Sequence, residues 1–253
     1  MREPVVFLSD VHLGGASAAL EAAKEADLIS FLEELSGDAT LYLLGDIFEF
    51  WFEDGGPPPA RYGAVLRALG RVTARGARVA FLGGNHDFWA RTGGRPGFLE
   101  QALGIELLTD PHEVTHQGVR LLLTHGDALG GARGGYRAVR GVLRSPLAIA
   151  AFRRLPRAVR LGLAARTSAT SRTRHTGPAQ TRHQDALREA ARAVLATSIC
   201  DAVIAGHIHA PERVELPGGV YCNLGDWITH RTYARLDGGA LTLETYRPSR
   251  RSR

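Results

Sequence analysis

Five short polar motifs, each at the end of an apolar run, constrain this chain more than anything else in it. They are Asp10-Val11-His12, Gly45-Asp46-Ile47-Phe48-Glu49, Gly84-Asn85-His86-Asp87, Thr124-His125-Gly126-Asp127 and Gly206-His207-Ile208-His209. In layered α/β folds, sites gather at the carboxyl ends of strands, so the pattern places all five motifs on one edge of the molecule. Any one of them alone is a common chance pattern. Together they hold five of the ten histidines, and as donors they supply two carboxylates, an amide oxygen and four imidazoles, plus one further His. That donor set suffices for two divalent ions sharing one carboxylate, which points to hydrolysis of a phosphate ester or anhydride.

The runs between the motifs read as β-then-α units. Strands are expected at 4–10, 40–46 and 78–83, followed by helices near 18–35, 60–75 and 96–103. Continuous apolar runs of this length suggest strands covered on both faces. Two further β-runs, 113–116 and 119–125, flank a Gln117-Gly118 turn. A helix near 184–197 leads into a strand at 201–206, and Pro217-Gly218-Gly219 and Asp237-Gly238-Gly239 are hairpin signals. At 253 residues the expectation is one α/β domain over 1–247 with a frayed tail at 248–253. No apolar stretch approaches the roughly 20 residues of a membrane-spanning helix. With no signal-peptide layout at the N-terminus, the expected compartment is the cytoplasm, with a peripheral position on the inner membrane. Cys200 and Cys222 lie in apolar runs and read as small core residues of a reducing compartment.

Charge is uneven. The net charge is +5, yet residues 133–182 hold twelve Arg and no Asp or Glu, so the rest of the chain is net acidic. This segment, about 130–183, reads as helices interrupted by Pro146, Pro156 and Pro178. Its Arg alternates with apolar stretches such as Pro146 to Phe152. A basic amphipathic surface suits an anionic lipid or membrane. A solvated helical face is the plainer reading. A nucleic-acid groove is a third, weakened because only Tyr136 and Phe152 interleave the arginines.

With all five blocks present across residues 4–230, the chain resembles a calcineurin-like metallophosphoesterase. The resemblance implies a four-layer α/β fold, a double β-sandwich flanked by helices, holding two divalent metal ions, often Mn²⁺, with Fe or Zn in some members. Carried over by motif, Asp10, His12 and His209 would bind one metal and Asn85, His125 and His207 the other, with Asp46 bridging. His86 resembles the family's catalytic His, with Asp87 orienting it; a purely hydrogen-bonding role for His86 is the alternative. Asp127 and Asp226 read either as partners that orient ligand imidazoles or as turn residues.

Two longer runs, Leu43 to Trp51 and Asn223-Leu224-Gly225-Asp226-Trp227, are similar to the UDP-2,3-diacylglucosamine diphosphatase group of lipid A biosynthesis. So is the insertion between His125 and His207, which in that group is a helical lid for acyl chains. The resemblance implies an anionic glycolipid substrate touched by Asn85, His86, Arg133, Tyr136, Arg137 and Trp227. The best-known members of that group carry Arg where this chain has His86. Phosphoesterase activity on nucleotides, phosphoproteins or nucleic acid is the rival expectation. A metal-free scaffold is a third, against which the intact ligand set speaks.

Overall fold

A computed structural model describes residues 3–53, 55–90, 96–129, 141, 145–156, 159–160, 162 and 178–248. The first three β/α units form as expected. They comprise β1 (Val5–Leu8) and α1 (Ala18–Glu34), β2 (Thr40–Leu43) and α2 (Gly63–Ala74), then β3 (Arg78–Leu82) and α3 (Phe98–Leu103). The parallel strands β1, β2 and β3 continue into the short β4 (Glu106–Leu108). β10 (Thr232–Asp237) and β11 (Ala240–Thr245) add antiparallel strands on the other side, giving a six-stranded sheet ordered β11-β10-β1-β2-β3-β4.

A second sheet has five strands ordered β5-β6-β7-β9-β8. β5 (His112–His116) and β6 (Val119–Thr124) form a hairpin, as do β8 (Glu212–Leu216) and β9 (Gly219–Asn223). Between them β7 (Ala202–Ala205) runs parallel to both β6 and β9. Gln117 and Gly118 both take positive φ, 53° and 83°. That is the backbone a tight hairpin turn of the right twist requires.

Successive strand residues point to opposite faces, and the core follows that alternation. Val6, Leu8, Leu41, Leu43 and Phe81 face α1 and α2, meeting Leu28, Leu32, Val65 and Leu69. Val5, Phe7, Leu44 and Leu82 face the second sheet and meet Leu121, Leu123, Ile204 and Cys222. The far side of that sheet, with Leu122, Val203 and Tyr221, packs on Leu187, Ala191 and Leu195 of the C-terminal helix α5 (Pro178–Leu195). The layers are therefore helix, sheet, sheet, helix. Each large side chain so buried contributes about 1.5–3 kcal/mol.

Three expectations shift. The run 40–46 leaves the strand after Leu43, because Gly45 and Asp46 adopt φ of 86° and 54°. Pro146 and Pro178 begin helices rather than interrupt them; a proline at the first helical position loses no intrahelical bond. In α4 (Pro146–Arg154) the Ser145 hydroxyl also accepts from the Ala148 N–H at 3.2 Å, a cap of the usual kind. Much of the expected 130–183 insertion, and the tail beyond Pro248, lie outside the described residues.

Candidate metal centre

The motifs follow β1, β2, β3, β6 and β7, whose carboxyl ends converge where the two sheets face one another. The chain must turn sharply there. Asp10, His12, Asp46 and His207 all carry positive φ, between 50° and 71°. Non-glycine residues seldom hold this backbone unless the surroundings enforce it, and such strain concentrates at functional sites. The glycines beside them allow close approach. A Cβ on Gly84 would strike the Asp46 carboxylate, and one on Gly206 the Asp10 carboxylate.

Three donor groups assemble: Asp10, His12 and His209; His12, Asp46 and His86; and Asp46, His125 and His207. Asp10 Oδ1 lies 3.4 Å from His209 Nε2 and 3.9 Å from His12 Nε2. Asp46 Oδ2 lies 3.7 Å from His12 Nε2 and 3.4 Å from His125 Nε2. Asn85 joins from the next loop, its Oδ1 lying 3.1 Å from His125 Nε2. Asp46 thus stands between two nests of donors.

Other groups fix these side chains. Glu49 Oε2 faces His12 Nδ1 at 3.1 Å, and the Leu44 carbonyl faces His125 Nδ1 at 2.9 Å. With the Nδ1 proton directed outward, each ring turns Nε2 into the site, the usual arrangement around metal-binding imidazoles. The Glu49 carbonyl engages His86 Nδ1 in the same way, at 3.1 Å. Asp87 is wholly buried. Its oxygens accept from the N–H groups of Gly84, Asp46, Ile47 and Phe48 at 2.8–3.1 Å. These bonds clamp the Asp46 turn to the Asn85 loop. Lys24, buried in α1, donates to the His12 carbonyl at 2.7 Å and pairs with Glu21 at 3.0 Å.

The electrostatics follow from this crowding of opposite charges. Burial alone would raise the Asp10 carboxyl, but the neighbouring imidazoles of His209 and His125 hold it down at about 2. Burial likewise works against ionised Asp46, and the His125 and His86 charges overcome it, leaving that carboxyl well below the usual range. Asp87 goes the other way: burial and the neighbouring Asp46 push it up to about 6. Burial, with the charge of His125, pushes His207 down to about 4. Against their own burial, Glu49 and Asp46 raise His12, while Asp46 raises His125 strongly.

The residues suit a divalent cation. Asp10 Oδ1 is buried with no hydrogen-bond partner, a costly position for an ionised oxygen unless a cation meets it. Beside it, the Nε2 atoms of His12 and His209 approach to 3.2 Å. Mixed carboxylate, imidazole and amide donors match Mn²⁺, Fe or Zn better than Ca²⁺.

Sequence expectations fare differently residue by residue. All the expected metal donors converge. Trp227 is corrected: it is wholly buried against Phe31 and Tyr246, and its indole N–H donates to the Lys24 carbonyl at 3.3 Å, so it packs the core and touches no substrate. Asp226 serves as a turn residue, accepting from the N–H groups of Ile228 and Thr229 at 2.7 and 2.5 Å, and its other oxygen binds His230 Nδ1 at 2.7 Å. Cys200 and Cys222 are buried free thiols in the core, as expected. Arg133, Tyr136 and Arg137 lie outside the described residues. The sequence reading passed over the roles of Glu49, Lys24 and His230. A signal existed for two of them: Glu49 is an extra carboxylate within a donor motif, and Lys24 is the sole lysine beside thirty arginines.

The chain is similar to known proteins in sequence and in structure. The chain is 33% identical over 250 residues to a UDP-2,3-diacylglucosamine hydrolase of Xanthomonas campestris pv. campestris (strain B100), covering 94% of this chain and 97% of that protein. It is 35% identical over 207 residues to one from Aeromonas salmonicida (strain A449), covering 81% and 77%. A solved structure described as a novel archaeal phosphodiesterase is similar at 14% identity and TM-score 0.46, covering 96% of this chain and 99% of that one. The family model for calcineurin-like phosphoesterases matches residues 3–211. The chain belongs to the calcineurin-like phosphoesterase family.

Proposed function

We propose that this hydrolase cleaves the diphosphate of UDP-2,3-diacylglucosamine, giving UMP and the acylated glucosamine 1-phosphate. The observation that carries the reading is the name shared by relatives 33–35% identical over most of the chain. The intact donor set supports it. Asp10, His12 and His209 would hold one divalent ion and Asn85, His125 and His207 the other, with Asp46 shared; Mn²⁺ is the first choice. When bound, such a pair lowers the pKa of a coordinated water and polarises phosphoryl oxygens. The chain's own contribution is orientation. His86 is fixed at Nδ1 by the Glu49 carbonyl and grouped with His12 and Asp46, where it would meet a phosphoryl or leaving-group oxygen. Asp87 acts one step back, keeping the Asp46 and Asn85 loops in register.

The apolar layer shared by both sheets supports treating 1–247 as a single domain carrying the Arg-rich insertion. Among the described residues no helix is long and apolar enough to cross a membrane. The cluster of arginine in residues 133–182 supports a peripheral site on the anionic inner face of the cytoplasmic membrane. Incubation of the purified protein with Mn²⁺ and UDP-2,3-diacylglucosamine tests the reading. UMP release is expected for the wild type and not for Asp46→Asn. Activity confined to soluble phosphodiesters would replace the lipid substrate with a nucleotide or nucleic-acid one.

A further inference from the structure

The metal donors border two unlike surfaces. On the side of β2 and β3 lies an aromatic cluster: Phe152 of α4 sits 4.6 Å from Trp89, 4.9 Å from Phe52 and 6.3 Å from Phe50, ring centre to ring centre. On the side of α1 lies a cleft of about 410 Å³ reaching His12, His86 and His209. The chain crosses from one surface to the other in a single step at Glu49, which lines the cleft, and Phe50, which belongs to the cluster.

The cleft has the size of a small-molecule site. Its volume falls in the range of roughly 300–1,000 Å³ usual for such ligands. Leu20, on the first turn of α1, and Ile228, on the turn after β9, supply apolar surface from two different elements. Away from the metal donors, Gln180, Thr229 and His230 are among the polar residues that line it, with Lys24, Glu49 and Asp226 as charged ones. His230 is held for the purpose. Its Nδ1 is bonded at 2.7 Å to Asp226, whose other oxygen is occupied by backbone N–H groups of the same turn. The bond fixes the ring at the wall of the cleft.

Resting on the substrate reading above, we propose that this cleft is the nucleotide subsite. The uracil and ribose of the UMP half would lie between Leu20 and Ile228, with His230 as a polar contact and specificity residue. The diacylated sugar would leave the metal donors toward the aromatic cluster. A split substrate of this kind needs two separate surfaces flanking one phosphate site, and the aromatic cluster and the cleft supply them on opposite sides of Glu49.

Titration calorimetry of the Mn²⁺-loaded full chain with UMP and, separately, with inorganic phosphate tests the subsite. UMP is expected to bind at least about tenfold more tightly than phosphate. His230→Ala and Leu20→Glu are each expected to weaken UMP about tenfold while leaving phosphate unchanged; Leu20 is 40% exposed, so its replacement spares the core. UMP no tighter than phosphate overturns the proposal. So does wild-type UMP affinity in either variant, or a loss shared equally by phosphate. The glycolipid assay is independent. A protein that releases no UMP from the glycolipid yet distinguishes UMP from phosphate through Leu20 and His230 loses the substrate reading and keeps the subsite.

Discussion

At the residue scale, the centre is built from donors and from the groups that aim them, and the two fail differently. Glu49 aims His12. Replacing it by Gln removes the charge but keeps the volume, and losses of about 10–100-fold in metal affinity are typical for such a partner. Competition with a fluorescent chelator should show that loss for Glu49→Gln, with folding unchanged by circular dichroism; wild-type affinity would relegate Glu49 to packing. His86 differs, because its ring is tied to a carbonyl while four other imidazoles and two carboxylates remain to hold metal. His86→Ala should lower kcat by about 10²–10⁴-fold, the usual worth of a positioned proton donor. Metal content by elemental analysis should stay at the wild-type level. The donors themselves were legible in the sequence because metal chemistry admits few residue types and the five motifs supply them in order. Trp227 was misread for the opposite reason. A Trp after Gly-Asp suits a binding loop as well as a core, and only packing against Phe31 decides between them.

At the element scale, the sequence's apolar runs located β1, β2, β3, β6 and β7, but not where each one stops, and β9 was marked only by its hairpin signal. Strand β2 ends at Leu43 although the apolar run continues, since the backbone must turn at Gly45 for Asp46 to reach the centre. The three-residue strand β4 is too short for any periodicity to register. Asp87 shows the same limit, because four backbone N–H groups from two loops converge on it only once the sheet has formed. That clamp makes the β3 loop intolerant of bulk. An added Cβ at Gly84 would meet the Asp46 carboxylate and lie 2.6 Å from the Asp46 nitrogen. Gly84→Ala should therefore cost about 2 kcal/mol through overpacking, a fall in Tm of roughly 4–8 °C for a chain of this size. Calorimetry of the metal-free protein would register it, and an unchanged Tm would mean that the two loops have room to separate.

At the scale of the whole molecule, two parallel strand sets meet with their carboxyl ends on one edge, so every donor loop opens on one side; in sequence, the Arg-rich insertion follows the donor loop after β6. The insertion's chemistry is read from charge alone: twelve Arg and no acidic residue in 133–182, within a chain otherwise net acidic. Such polarity orients a molecule on an anionic surface. Each basic residue near the headgroups contributes about 1 kcal/mol. The attraction should weaken as salt shortens the screening distance from about 10 Å at 0.1 M to about 3 Å at 1 M. The protein is therefore expected to sediment with vesicles containing phosphatidylglycerol at low salt, to leave them as salt rises, and to ignore phosphatidylcholine vesicles throughout. Replacing the arginines at 153, 154 and 160 together by Gln should reduce the bound fraction without changing Mn²⁺ content, since none of the three belongs to a donor group. Salt-insensitive binding, or equal binding to neutral vesicles, would show that apolar insertion and not charge brings the active edge to the lipid.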